Sequence, residues 1–195
     1  MKSKKFFIFA LLSLLSYCSA WAQWVHATGT DSGFIVALTA DQRNLFAGGD
    51  KGLYRSTNYG LDWHSVNISF ASNIGSITSL INVGNYVLTG AFDGGIYRST
   101  NNGEEWETSL KILLVYALAR RDSVLFATAC TLNDNGLRRS TDFGVTWEDI
   151  FEADCSPSIL VSDTSIMIGF VKLYASTDNG DHWKEAVSNP FRPGS

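Results

Sequence analysis

Three arginines, Arg55, Arg98 and Arg139, stand at the same place in a repeated phrase. Arginine grips a carboxylate or phosphate with two parallel hydrogen bonds, so three that converged would clamp an anion. Asp50, Asp93 and Asp134 recur in the same manner, each as Asp-x-Gly, and a carboxylate pair at a defined separation is what glycoside hydrolysis requires. The histidines, His26, His64 and His182, have no metal-ligand spacing, and the chain has no Gly-rich phosphate loop, Cys-x-x-Cys or nucleophile context. Neither a metal nor a cofactor is expected. Whether the arginines or the acids meet depends on the elements that carry them.

Those elements repeat. Directly after each arginine comes an octet, STNYGLDW at 56 to 63, STNNGEEW at 99 to 106 and STDFGVTW at 140 to 147; a fourth, STDNGDHW, lies at 176 to 183. The starts are 43, 41 and 36 residues apart, a period that marks solenoids, propellers or arrays. Between octets the chain breaks into short β-prone blocks such as Phe34 to Thr39 and Asn44 to Gly48, closed by Gly, Asp or Asn. Asp-x-Gly between two such blocks reads as a tight hairpin, which already accounts for Asp50, Asp93 and Asp134. One repeat is therefore a four-strand meander, a (34 to 39), b (44 to 48), c (52 to 56) and d (62 to 68) in the first, and the octet is the c–d turn. The later repeats run over 74–110, 115–151 and 158–189, the first over about 31–68. In each turn the serine and the Asn or Asp bond nearby backbone, glycine takes the left-handed bend and tryptophan packs sideways. The structural set is Ser56, Asn58, Gly60, Trp63; Ser99, Asn101, Gly103, Trp106; Ser140, Asp142, Gly144, Trp147; and Ser176, Asp178, Gly180, Trp183. On equivalent edges of successive sheets the three arginines splay and do not converge. They read as charges that pair with acids of a neighbouring strand.

The octet resembles the Asp-box (BNR) repeat, S-x-D-x-G-x-x-W, of sialidases, xyloglucanase-type glycoside hydrolases, sortilin-type receptor domains and photosystem II assembly factors. The resemblance covers residues 24 to 189. It implies an all-β protein, a β-propeller of four-stranded antiparallel blades, with the box on the outer c–d turn away from any site. Asn58 and Asn101 depart from the box, Asp142 and Asp178 match it, and an amide keeps the acceptor oxygen that the turn needs. The sialidase clamp does not carry over to Arg55, Arg98 and Arg139, and Phe191-Arg192-Pro193 has no counterpart role. Xyloglucanase-type enzymes set two carboxylates between two propellers, a cleft this chain is too short to build. The resemblance thus favours an exported, non-catalytic module presenting loops to a protein or glycan, with a part of a secreted glycoside hydrolase as the alternative.

Export is read from the start of the chain. Lys2, Lys4 and Lys5 precede an apolar run from Phe6 to Tyr17, and Ala20-Trp21-Ala22 supplies a cleavage context, so residues 1–22 read as a signal peptide. Twelve helical residues rise about 18 Å against a hydrocarbon core of roughly 30 Å, which disfavours a retained anchor. Tyr17 before Cys18 is too bulky for a lipoprotein box. Removing three lysines leaves 12 Lys+Arg against 19 Asp+Glu, a net charge of −7, which argues against nucleic acid as a partner. No spanning segment is expected after processing. Asn67-Ile68-Ser69 is a glycosylation sequon if the secreting cell is eukaryotic.

Loops that vary while the frame repeats carry specificity, and the b–c connection of the third repeat is the longest. Thr131, Asn133, Asp134 and Asn135 are the candidate binding loop. Cys130 in that connection and Cys155 in the d–a connection share one end of the meander, so a disulfide between them is expected. It would close a 25-residue span, worth about 3 kcal/mol in the chain-entropy estimate. Finally, Gln23-Trp24-Val25-His26-Ala27 looks like one more d strand, which gives five d strands for four a-b-c sets. The expectation is an open arc of about four blades over 23–189, with a tail at 190–195 and two apolar faces inviting self-association. Pairing of 23–29 with 172–176 would instead mean a closed four-bladed ring.

Overall fold

In the computed structural model, residues 27–30, 33–41, 43–68, 75–130, 135–152, 158–169 and 172–187 are described. They form sixteen strands in four sheets, each sheet a four-strand antiparallel meander. Sheet one holds β1 (Ile35–Ala40), β2 (Leu45–Gly49), β3 (Gly52–Ser56) and β4 (His64–Val66). Sheet two holds β5 (Ile77–Val83), β6 (Tyr86–Ala91), β7 (Gly95–Ser99) and β8 (Glu107–Leu110). Sheet three holds β9 (Leu114–Arg121), β10 (Val124–Cys130), β11 (Gly136–Ser140) and β12 (Glu148–Glu152). Sheet four holds β13 (Ser158–Val161), β14 (Ile166–Gly169), β15 (Leu173–Ser176) and β16 (Lys184–Val187).

The first strands of successive sheets pack side by side, β1 along β5, β5 along β9 and β9 along β13, so the sheets are blades set around one axis. Among the described residues β13 makes no comparable contact with β1. The fold is a β-propeller of four blades in an open ring. Its core is three separate clusters, one per blade junction: Phe46, Ile77 and Leu80 lie in the first, Leu88, Val115 and Leu118 in the second, Phe126, Ile166 and Ile168 in the third. Burying each such side chain contributes roughly 1.5–3 kcal/mol, so the junctions, not the isolated blades, hold the fold.

The register has a two-residue alternation with direct consequences. Phe46 of β2 faces the next blade, and its partners Arg55 on β3 and Thr39 on β1 share that face. Ala47 and Leu38 point the other way, toward the side on which no blade stands among the described residues.

The segment before the first blade joins its outer side. Thr28 and Asp62 form a parallel bridge in which Trp63 N–H donates to the Thr28 carbonyl at 2.9 Å and Thr28 N–H to that of Leu61 at 3.2 Å. Thr28 thus lies on the first octet, not on β15. Residues 1–26 and 188–195 lie outside the described set, and with them the expected signal peptide, Trp24, His26 and the expected tail.

Candidate functional site

Two ends of the propeller differ in what occupies them. The a–b and c–d turns lie at one end, with the four octets; the b–c and d–a connections lie at the other.

At the octet end the polar residues satisfy one another. The serine Oγ accepts the glycine N–H at 2.9, 2.8, 2.8 and 2.8 Å in octets one to four. It donates to the Asn or Asp Oδ1 at 3.0, 3.0, 2.8 and 2.8 Å. That same oxygen accepts the N–H of the seventh residue, Asp62, Glu105, Thr146 or His182, at 2.9 to 3.0 Å. All four serines are buried, so this closed net removes what would otherwise be unpaired donors. The residue before each glycine is left-handed at Tyr59, Asn102, Phe143 and Asn179.

The seventh residue also explains the Asn-for-Asp departures. Asn58 and Asn101 each donate from Nδ2 to an acid there, Asp62 Oδ2 at 2.9 Å and Glu105 Oε2 at 3.3 Å. Asp142 instead accepts from Thr146 Oγ1 at 2.6 Å, and Asp178 Oδ2 lies 2.7 Å from His182 Nδ1. Amide meets acid, and acid meets donor. The Thr146 hydroxyl first, then its backbone N–H, holds the Asp142 carboxyl at about 2. The His182 backbone N–H and ring hold that of Asp178 well below the usual range. His182 is therefore a turn residue, whereas His64 opens β4 beside Arg55.

The arginines do not converge. Arg98 pairs with Glu107 on its own β8 and donates from Nη1 to the Phe143 carbonyl of octet three at 3.2 Å. Arg139 pairs with Glu148 on β12 at 2.7 Å, then reaches octet four at the Asn179 carbonyl and at Asp181, each at 2.7 Å. Arg55 bonds Asn44 at 3.0 Å and faces Glu104 of octet two at 3.8 Å. Each arginine is a latch from one blade to the next octet.

Tryptophan packing varies. Trp63, Trp106 and Trp183 donate to the glycine carbonyl three residues back at 3.1, 3.2 and 2.9 Å, while Trp147 donates to Ser109 Oγ of blade two at 2.9 Å. Trp106 is buried; the other three are half-buried.

At the opposite end, Asp50 Oδ1 accepts the Phe34 N–H at 2.7 Å, a hairpin tied to the incoming chain. In blade two the b–c turn and d–a connection enclose a hollow of about 550 Å³ lined by Asp93, Tyr97, Thr108, Lys111, Ile112 and Leu113. Tyr97 on β7 and Thr108 on β8 are register partners and form its wall. Burial raises the Tyr97 hydroxyl above its ordinary value, so it stays protonated. Leu113 of this lining is exposed, as is Phe92, which precedes Asp93 in the chain. The sequence drew attention to the third loop and not to this hollow; Lys111-Ile112-Leu113, an apolar connection with one cation, was the available clue. Of that third loop Asn135 is half-buried, and Thr131, Asn133 and Asp134 lie outside the described residues. Cys130, at its entry, is disulfide-bonded, and the expected partner Cys155 is outside the described residues. The described residues contain no group of three or more His, Cys, Asp or Glu able to hold a metal, and no helix long and apolar enough to cross a membrane.

No family model and no curated protein matches the chain. Solved structures do. An ancestral GH74 enzyme superposes with a TM-score of 0.67 at 17% identity, over 81% of this chain and 24% of that one. The GH74 xyloglucanase of Xanthomonas campestris gives 0.61 at 14%, over 83% and 32%. The extracellular domain of a one-component system from B. thetaiotaomicron gives 0.61 at 15%, over 80% and 22%. The chain thus spans 22 to 32% of the length of these proteins, and at such identities the likeness is one of fold.

Proposed function

We propose that this chain is an exported, non-catalytic propeller module of the Asp-box type that binds a protein or glycan at the end opposite its octets. The observation that carries this reading is the division of labour between ends. At the octet end the repeated serines, the Asn or Asp residues and the three arginines are engaged in turns or latches. The other end offers a hollow that combines an aromatic wall, exposed Leu113, and the separate polar groups Asp93, Thr108 and Lys111. Apolar surface with a few placed polar groups is the common make-up of a binding pocket. Export is supported by the basic start, apolar run and Ala-Trp-Ala of the first 22 residues.

A second reading, part of a secreted glycoside hydrolase, is favoured by the GH74 enzymes among the structural relatives. One experiment separates the two. The folded protein is titrated with xyloglucan oligosaccharides, other β-glucans and sialosides, following Tyr97→Phe and Lys111→Ala variants in parallel. Saturable binding that the variants weaken, without release of reducing sugar or sialic acid, supports the module. Turnover favours the hydrolase, and binding untouched by both variants removes the hollow as its seat.

A further inference from the structure

We infer that the two open faces of the arc are made for each other: the first blade of one chain receives the fourth blade of a second copy, head to tail. This does not depend on the ligand reading above. Interior junctions show what a complete contact contains. Ile77 of β5 fills the space over Gly48 of β2, where an added Cβ would come within 2.3 Å of its Cγ2; Val115 of β9 sits over Gly90 of β6, at 2.7 Å from such a Cβ. The register assigns Ile35 the same place on β1, opposite Gly49 as Ile77 is opposite Ala91 and Val115 opposite Ala129. Ile35 is 41% exposed, whereas Ile77 and Val115 are at 0%. Three positions on, Leu38 is 70% exposed against 7% for its counterparts Leu80 and Leu118.

The fourth blade carries the matching socket. Gly169 stands where Gly48 and Gly90 do, counted from the pairs Ile166 with Ser176, Leu45 with Ser56 and Val87 with Ser99. Among the described residues, an added Cβ there would meet only Leu173 and Lys172 of its own blade. Met167, the counterpart of the fully buried Phe46, Leu88 and Phe126, is only half-buried, and its register partner Leu160 is 60% exposed.

The latch agrees. Blade four has Ala175 in the place of Arg55, Arg98 and Arg139, and octet one has Leu61 where octets two and four have Glu104 and Asp181. Octet three manages with Val145 because Arg98 uses a carbonyl, so the missing arginine is the weightier half. Joining the fourth blade to the first therefore strands no charge at the latch position. Tyr59 points the same way: its left-handed backbone matches that of Phe143, whose ring stacks on Tyr86 of the preceding blade at 4.8 Å, yet Tyr59 is 90% exposed. A knob at one end and its socket at the other make a heterologous contact, which two copies close into a ring of eight blades.

The chain secreted from an expression host is run through size-exclusion chromatography with light scattering over a dilution series. The expected mass is that of two chains. Leu38→Glu blocks the head and Leu160→Glu the tail; both sites are exposed, so circular dichroism should show each variant folded. Each alone should run as a single chain, and an equimolar mixture should recover a two-chain species through the one intact junction, with affinity lower than the parent by tenfold or more. A parent that stays monomeric at every concentration overturns the proposal and points to blades supplied by another chain. So does a dimer that only Leu38→Glu breaks and the mixture does not restore, which would be head to head, or an open-ended ladder of masses.

Discussion

Leu38 and Leu80 hold the same place in the first and second blades, each after Gly-x-Ile-x-x, yet one is mostly in water and the other is core. Their sheets have the same four strands in the same order. The difference comes from outside the blade: among the described residues the second has a predecessor and the first does not. In a quasi-one-dimensional array each unit owes its stability to the interface with its neighbour, and the pair isolates that term from residue type and secondary structure.

The largest effect should come from an interior junction. Trp106→Ala empties a buried site of the first cluster and should cost about 3–5 kcal/mol in denaturant unfolding, and Leu80→Ala about 2–5. Leu38→Ala, measured on the single chain, should stay within about 0.5. Comparable losses at Leu38 and Leu80 would mean that the head face is covered in solution, by a second copy or by the chain itself.

The disulfide comes next. Replacing Cys130 by Ser releases a cross-link and should lower stability by about 3 kcal/mol if the partner is Cys155. Peptide mapping without reduction identifies the partner; a bridge to Cys18 would contradict removal of the leader.

The octets should be indifferent to position, which sharpens the contrast. Ser56 and Ser99 are both buried and make the same bonds, one in a terminal and one in an interior blade. Ser→Ala at either leaves a glycine N–H unpaired, half-buried at Gly60 and buried at Gly103, and should cost about 1–3 kcal/mol, of the same order in both. A loss at Ser99 only would show that the turn borrows its stability from the junction.

What could be read in advance follows the same line. The four-strand meander and the c–d place of the octet were legible because Asp-x-Gly turns and the Ser…Trp spacing act locally within one repeat. The arginine latch was only half legible: Arg98 with Glu107 is a pair across adjacent strands, but the reach to Phe143 depends on blade stacking, which no spacing encodes. The hollow beside Tyr97 was hidden for the same reason, since Gly94 and Leu113 meet through a backbone bond across 19 residues. Ile35 and Leu38 read as ordinary strand residues, and only the register against Gly49 and Ala47 reveals them as a face without a partner.

The smallest effect concerns acid. Asp142 is held at about 2 by the Thr146 hydroxyl and backbone, against about 3.9 for an unfolded aspartate. A depressed carboxyl takes up its proton more readily in the unfolded chain, so its contribution is complete above pH 4 and is lost as pH falls toward 2. Asp178 shifts in the same sense, with the His182 backbone N–H as first cause. Octet two carries Asn101, which does not titrate, at that place. Hydrogen exchange of the glycine and seventh-residue amides on lowering the pH from 5 to 2.5 should therefore open octets three and four ahead of octet two. Asp142→Asn should flatten the acid response of octet three and weaken the turn at neutral pH, because the amide faces Thr146 where Asn58 and Asn101 face acids. Adding Thr146→Glu restores that pairing and should recover the neutral-pH protection. If the double variant protects no better than Asp142→Asn alone, the match between the third and seventh residues of the octet is incidental, and the turn rests on its serine and glycine.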